Sequence, residues 1–274
     1  SYSFTNGLRP ADFEAKINKN TKVIYIETPS NPLLTITDLA AVAEIAKRHN
    51  LVSMIDNTFA SPVNQNPIDF GIDVVIHSAT KYMGGHSDIC AGAVASSKAN
   101  MERIFQLAIN LGGSLSDYTV WLLERSIKTM GIRVKCQNEN ALRLAEYLES
   151  NENIKQVNYP GLPSHPDHAL AKSQMHGFGG MLSFELKDSI DATKFRKALK
   201  LIKSSMSLAG VESTVLSPAQ TSHSLLSEDD RAKQGIADGL IRFSIGIEEP
   251  EDLIQDIEQA LEQLKAKQPV LNNK

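Results

Sequence analysis

The residues that could do chemistry in this 274-residue chain stand at the ends of three apolar runs. Lys81 follows two hydroxyls, Ser78 and Thr80, where DVVIHSAT ends. Asp56 and Asn57 end LVSMIDN, and Ser30 and Asn31 follow KVIYIET in the segment ETPSNP. A neutral lysine amine is a nucleophile that condenses with a carbonyl. A carboxylate beside a pyridine nitrogen keeps that ring protonated, and a protonated ring draws in electrons. Hydroxyls hydrogen-bond a phosphate, and the i, i+2 spacing of Ser78 and Thr80 turns both the same way on an extended segment. Taken singly, each residue has a plainer reading: Asp56 caps a turn, Lys81 is solvated, and Asn31, set between prolines, bends the chain. As a set they suit pyridoxal phosphate, with desolvation keeping the Lys81 amine neutral.

That reading requires the three runs to be neighbouring strands of one sheet, because ligands of open α/β sheets bind beyond the C-terminal strand ends. The pattern meets this requirement. Strands are expected over Lys22–Thr28, Leu51–Asn57, Asp73–Thr80 and Cys90–Ser97. Between the first two, Thr37–Asn50 places Leu39, Val42, Ala43 and Ala46 at helical spacing, with Thr37 as N-cap and Asn50 as stop. Strands apolar on both faces and separated by helices predict a covered, mainly parallel sheet. A long helical region over Asp117–Asn151 follows, interrupted at Gly131, and carries Tyr118 and Trp121 as packing residues. The Pro/Gly-rich YPGLPSHPDH is an ordered connection. Strands at Met181–Lys187 and Leu240–Ile247, with helices at Asp191–Ile202 and Pro250–Lys265, make a smaller α+β unit, and the residues after Lys265 read as a frayed tail. The division is drawn at 1–135 and 136–274.

Composition is that of an ordinary globular protein, 42% hydrophobic and 22% charged. A net charge of −4 gives no electrostatic reason for nucleic acid or an acidic membrane as partner. No apolar run reaches the roughly 18–20 residues of a membrane span, and the N-terminus has no signal-peptide pattern. The two cysteines, Cys90 and Cys136, read as free thiols of a cytoplasmic protein. His77, His86, His165 and His168 do not have the spacing of a closed metal site, so no metal is expected.

The ordered set ETPSNP, DNTFASP, HSATKYMGGHSD, YPGLPSHP, GFGGMLSFE, SLAGVEST and GLIRFSIGIE closely resembles the Cys/Met-metabolism family of pyridoxal-phosphate enzymes, over nearly the whole chain. The resemblance implies the fold type I (aspartate-aminotransferase-like) α/β architecture and a homotetramer built from tight dimers. It implies Lys81 as the Schiff-base lysine and proton shuttle, Asp56 as the pyridinium partner, and Ser78 and Thr80 as phosphate contacts. Asn31 would serve the cofactor hydroxyl and the substrate-carboxylate side. Arg242 would bind the substrate α-carboxylate, Ser207 would line the lysine and carboxylate side, and Glu212 would stand near the substrate side chain. Without the resemblance, Arg242 reads as an edge-strand arginine, Ser207 as a turn serine and Glu212 as a solvated strand-end acid.

The implied activity is that of a carbon–sulfur lyase on cystathionine, methionine or a related γ-substituted amino acid. The implied alternatives are γ-replacement, as by a cystathionine γ-synthase or a homoserine-ester sulfhydrylase, and a non-catalytic remnant. Family members also carry, ahead of ETPSNP, a Gly-containing phosphate loop, a ring-stacking aromatic and a Tyr/Arg pair that reaches the neighbouring subunit. Ser1–Thr21 resembles only the short strand and helix just before ETPSNP. A fragment, a truncated gene product or the ordered part of a longer chain is therefore expected, with a sheet lacking part of its cover.

Overall fold

A computed structural model of the chain describes residues 1–5, 7–221 and 224–266. The tail expected after Lys265 lies, from residue 267, outside the described residues. The chain opens with helix α1 (Pro10–Glu14), and no strand precedes it among the described residues, contrary to expectation. Strand β1 (Val23–Glu27), helix α2 (Leu39–Arg48), strand β2 (Val52–Asp56), the short helix α3 (Ser61–Asn64), strand β3 (Val74–Ser78) and strand β4 (Gly92–Ser96) follow. They form a four-stranded sheet in the order β1-β2-β3-β4, parallel across the first three strands and antiparallel at β4.

Helix α2 begins one residue later than the spacing predicts. Asp38, not Thr37, is the N-cap: its side chain accepts the Ala41 N–H at 2.9 Å. Thr37 is buried, and its N–H donates to the Thr28 hydroxyl at 3.0 Å. The apolar stripe of α2, with Leu39, Val42, Ile45 and Ala46, packs on Ile24, Ile26, Ile55 and Val75 of the sheet. Fully burying each such Leu or Ile stabilises the fold by roughly 1.5–3 kcal/mol. Only this face is well covered. On the other, Val23, Tyr25, Glu27 and Val94 are exposed, Tyr25 at 55%. The apolar strands alone predict cover on both faces; one face is instead open, in line with the expectation that the sheet lacks part of its cover.

Helix α4 (Lys98–Leu111) is an element that the sequence reading did not anticipate. Ser97 caps it, and none of its residues is buried, so its apolar residues build no core that would have marked it. The expected long helix is two: α5 (Asp117–Ile127) and α6 (Met130–Ser150). The break falls at Lys128–Thr129, where the Thr129 hydroxyl donates to Ser126 O at 3.2 Å, and Gly131 lies inside α6. Tyr118 and Trp121 stack on each other with ring centroids 6.0 Å apart and remain exposed, so their packing is mutual rather than into a core.

Beyond α6 come strand β5 (Ile154–Asn158), helix α7 (His168–Gln174), strand β6 (Met181–Leu186), helix α8 (Ala192–Ala198), strands β7 (Lys203–Ser204) and β8 (Thr214–Leu216), helix α9 (Glu228–Lys233), strand β9 (Leu240–Ser244) and helix α10 (Pro250–Ala266). The second sheet has the order β5-β6-β9-β8-β7 and is antiparallel except between β7 and β8. Leu144, Leu148, Phe184, Phe195, Phe243, Leu253 and Ile257 form its core. Helix α8 stops at Ala198, short of the expected Ile202, because buried Asp256 accepts the N–H groups of Lys200, Leu201 and Ile202 at 2.8–2.9 Å. A carboxylate with three backbone donors outcompetes further helical hydrogen bonds.

Helix α6 joins the two sheets. Its Val134 packs with Leu34, Phe59 and Tyr82, while Ala141, Leu144 and Leu148 belong to the second core. Between them Gln137 Nε2 donates to Gly210 O at 2.8 Å and Ile245 O at 3.1 Å. The Gly180 N–H donates to the Tyr82 hydroxyl oxygen at 3.0 Å. The residue after Lys81 is thereby tied to the start of β6.

Candidate active site

The ends of β1, β2 and β3 are neighbours, as the chemistry requires. Glu27 pairs in register with Asp56, and Asp56 with Ile76, two residues before Ser78. Asp56 Oδ1 accepts the Thr58 N–H at 2.9 Å, and the Thr58 hydroxyl accepts the Ser78 N–H at 2.8 Å. Thr58, which the sequence reading passed over, thus ties two strand ends together. A threonine two residues after a strand-end acid is a common turn pattern, so its type alone gave no signal.

The backbone after Ser78 is a turn, not the extended segment inferred from spacing. The Lys81 N–H donates back to Ser78 O at 3.0 Å, Gly84 N–H to Ala79 O at 2.8 Å, and Gly85 N–H to Lys81 O at 2.7 Å. Ser78 and Thr80 therefore do not owe their directions to strand alternation. Among the described residues the Ser78 hydroxyl has no hydrogen-bond partner. The Thr80 hydroxyl accepts the Ala91 N–H at 2.9 Å and donates to Ala91 O at 3.3 Å.

The missing side chain of Gly85 is what lets this turn pack. Gly85 has φ 71°, and a Cβ there would lie 1.9 Å from Arg133 Nη1. Buried Arg133 donates from Nη1 to Tyr82 O at 3.0 Å and from Nη2 to Ser126 O at 3.0 Å. This guanidinium braces the loop that carries Lys81.

Arg242 comes to the same place from β9. It is only 4% exposed and donates to Asn31 Oδ1 at 3.3 Å and to Met206 O at 3.1 Å. No carboxylate forms an ion pair with it among the described residues, and burial lowers its pKa to about 10. Burial also lowers the Lys81 ammonium below its ordinary value, and the positive Arg242 lowers it further, against an opposing pull from Cys90. Asn31, Lys81 and Arg242 thus share one locale. Ser207 adjoins it as the residue after Met206; its N–H donates to the Ser205 hydroxyl at 3.1 Å and its carbonyl accepts from Thr214. Glu212 is exposed and turned to the loop after Lys81, where its Oε1 accepts the Ser87 hydroxyl at 2.8 Å. Among the described residues no cluster of potential metal ligands occurs.

A half-buried lysine with a destabilised ammonium, a strand-end carboxylate with one oxygen free among the described residues, a hydroxyl likewise without a partner and an arginine without an acid partner there fit a phosphate-bearing aldehyde with a basic ring nitrogen. The fold is that of the fold type I class of pyridoxal-phosphate enzymes. Within that class, the chain belongs to the Cys/Met metabolism PLP-dependent enzyme family, whose model it matches over residues 1–262. It is 46% identical over 252 residues to the cystathionine beta-lyase of Lactococcus lactis subsp. cremoris, covering 92% of this chain and 66% of that protein. It is likewise 46% identical over 254 residues to the cystathionine gamma-lyase of Bacillus subtilis, covering 92% and 67%. The structure of cystathionine gamma-lyase from Lactobacillus plantarum complexed with L-serine superposes with a TM-score of 0.91 at 43% identity, covering 93% of this chain and 67% of that one. Cystathionine gamma synthase from Xanthomonas oryzae pv. oryzae in complex with cystathionine gives 0.89 at 42% identity, covering 94% and 67%. The chain thus spans about two thirds of the length of the relatives it matches.

Proposed function

We propose that this chain carries the reactive lysine and the substrate-carboxylate site of a carbon–sulfur lyase acting on cystathionine, methionine or a related γ-substituted amino acid. The observation that carries this reading is Arg242, a buried guanidinium with no acid partner among the described residues, electrostatically coupled to a lysine whose charged form is disfavoured. A buried cation without a counter-ion is costly unless an anion is to arrive. A planar fork suits an α-carboxylate in a two-point pair.

Pyridoxal phosphate, when bound, supplies an electron sink for negative charge at the substrate α-carbon. The residues that would hold it in this reading are Lys81 at the aldehyde, Asp56 at the ring nitrogen, Ser78 at the phosphate, with Thr80 joining it there on turning its hydroxyl hydrogen away from Ala91 O, and Asn31 at the ring hydroxyl. Arg242 anchors the substrate α-carboxylate, with Ser207 on the same side. That anchor fixes the α-carbon against the Lys81 amine, which in its neutral form takes up the α-proton and returns it. Glu212 stands toward the substrate side chain. A γ-replacement enzyme uses the same residues and differs in what attacks after the γ-substituent leaves; the similarity to a cystathionine gamma synthase supports this second reading.

We assign residues 1–135 to the cofactor unit and 136–274 to the smaller unit, supported by the change of core along α6 between Val134 and Ala141. Assembly into a homotetramer is supported by exposed Phe105, Leu107, Leu111 and Ile132. A cytoplasmic setting accords with two free cysteines, and no described helix is long and apolar enough to cross a membrane.

The test is visible absorbance with added pyridoxal phosphate, followed by product analysis. The wild-type chain is expected to develop a band that Lys81→Ala lacks, and to release a keto acid from cystathionine. The absence of a lysine-dependent band would sink the enzyme reading. Cystathionine formed from succinylhomoserine and cysteine, with no keto acid from cystathionine, would favour the synthase.

A further inference from the structure

Glu27 has no part in the assignments above, yet it sits at their junction. It ends β1 directly beside Asp56 in the parallel register, so the two carboxyls share a sheet face. Its Oε1 accepts the Asn31 N–H at 3.0 Å. The rest of the turn is held from within: Leu34 N–H to Ser30 O at 2.8 Å, Ser30 N–H to Thr35 O at 3.1 Å, and Thr35 N–H to the Ser30 hydroxyl at 3.1 Å. Asn31 alone is held from the strand, and Asn31 Oδ1 is one of the two acceptors that orient Arg242.

We propose that Glu27 is a positioning residue: it fixes the Asn31 turn through the backbone N–H, and through the Asn31 amide it sets the Arg242 guanidinium for the substrate carboxylate. A surface glutamate at a strand end would be expected to ionise freely. Here burial, then the charge of Asp56, push its carboxyl up to about 7, against the Asn31 N–H, although the residue as a whole keeps an exposed flank. Two acids side by side are unfavourable, and the contact that Glu27 makes in that position is the hold on Asn31. The inference rests on the substrate-carboxylate reading of Arg242.

The experiment compares wild type, Glu27→Ala and Glu27→Gln in the cofactor-loaded chain, using cystathionine. Alanine removes the acceptor for the Asn31 N–H; glutamine keeps one. Glu27→Ala is expected to raise KM about tenfold, the worth of one misplaced charge-assisted hydrogen bond, with kcat changed less than about threefold. Cofactor affinity, read by visible titration, is expected to fall by less than KM rises, since Asn31 is only one of the residues assigned to the cofactor. In the cofactor-free protein, hydrogen exchange of the peptide containing Asn31 is expected to quicken. Glu27→Gln is expected to restore both KM and exchange. Asn31→Ala, which leaves Glu27 in place, is expected to raise KM as much, and adding Glu27→Ala to it is expected to do little more.

An unchanged KM in Glu27→Ala, or a glutamine variant as impaired as the alanine one, overturns the proposal. Should Glu27→Ala fail to fold, a wild-type KM in Asn31→Ala overturns it as well. A wild type with no lysine-dependent cofactor band refutes the functional reading and this inference together. A wild type that turns over while Glu27→Ala keeps its KM refutes this inference alone.

Discussion

Replacing Arg242 with methionine is expected to move stability and substrate binding in opposite directions. Burial lowers the Arg242 pKa from 12.5 to about 10. At about 1.4 kcal/mol per pKa unit, holding that guanidinium charged in the fold costs roughly 3 kcal/mol at neutral pH. Methionine fills similar volume without the charge. The change strips a charged donor from Asn31 Oδ1 and Met206 O. Met206 is 67% exposed, so water can reach its backbone, and the combined loss is about 1–2 kcal/mol. The net expectation is that Arg242→Met stabilises the cofactor-free chain by about 1–2 kcal/mol in urea unfolding at neutral pH. The same change removes a two-point pair to the substrate carboxylate, which should lower kcat/KM by roughly 100- to 10,000-fold. A variant destabilised by more than about 1 kcal/mol would mean that the unpaired charge is not a stored cost. A variant with near-wild-type kcat/KM would mean that the carboxylate binds elsewhere.

Gly85→Ala must both adopt a φ of 71° and displace the hydrogen-bonded Arg133 guanidinium, so a loss of about 1–3 kcal/mol in urea unfolding is expected. Gly131→Ala, where an added Cβ meets nothing within 4 Å inside α6, is the control and is expected to gain up to about 1 kcal/mol. The raised Glu27 pKa makes stability depend on pH. The folded chain binds a proton that the unfolded chain releases, so this contribution is complete below the unfolded value of 4.5 and is lost as pH rises through about 7. Glu27→Gln should therefore match wild type near pH 4.5 and exceed it at pH 8. The difference is expected to be about 1 kcal/mol after discounting for the exposed flank. A larger difference at the acidic end would contradict the sign.

The strands bearing the site were legible because β-branched runs announce themselves and stop at polar residues; β1, β2 and β3 form within the expected spans. That Asn31, Asp56 and Lys81 stand at neighbouring strand ends was legible too; the place of Arg242 was not, since an arginine inside LIRFS looks alone like an edge residue. In the structure β9 is central, and Arg242 is buried within it. Helix α4 escaped notice because it buries nothing, and a helix without a buried stripe has no core to predict. The end of α8 escaped because Asp256, about 55 residues further on, is what stops it.

The sequence by itself determined which groups are present: a lysine, an acid, hydroxyls and an amide at successive strand ends, with apolar periodicity enough to bring those ends together. Only the tertiary structure decided how they act on one another. The turn at Ser78–Gly85, braced by Arg133, directs Lys81. Strand β9 carries Arg242 to Asn31 across 211 positions of chain. Register sets Glu27 against Asp56. Charge, desolvation and hydrogen bonding act through space, over distances of a few ångströms, and a linear pattern records neither those distances nor the dielectric between the groups.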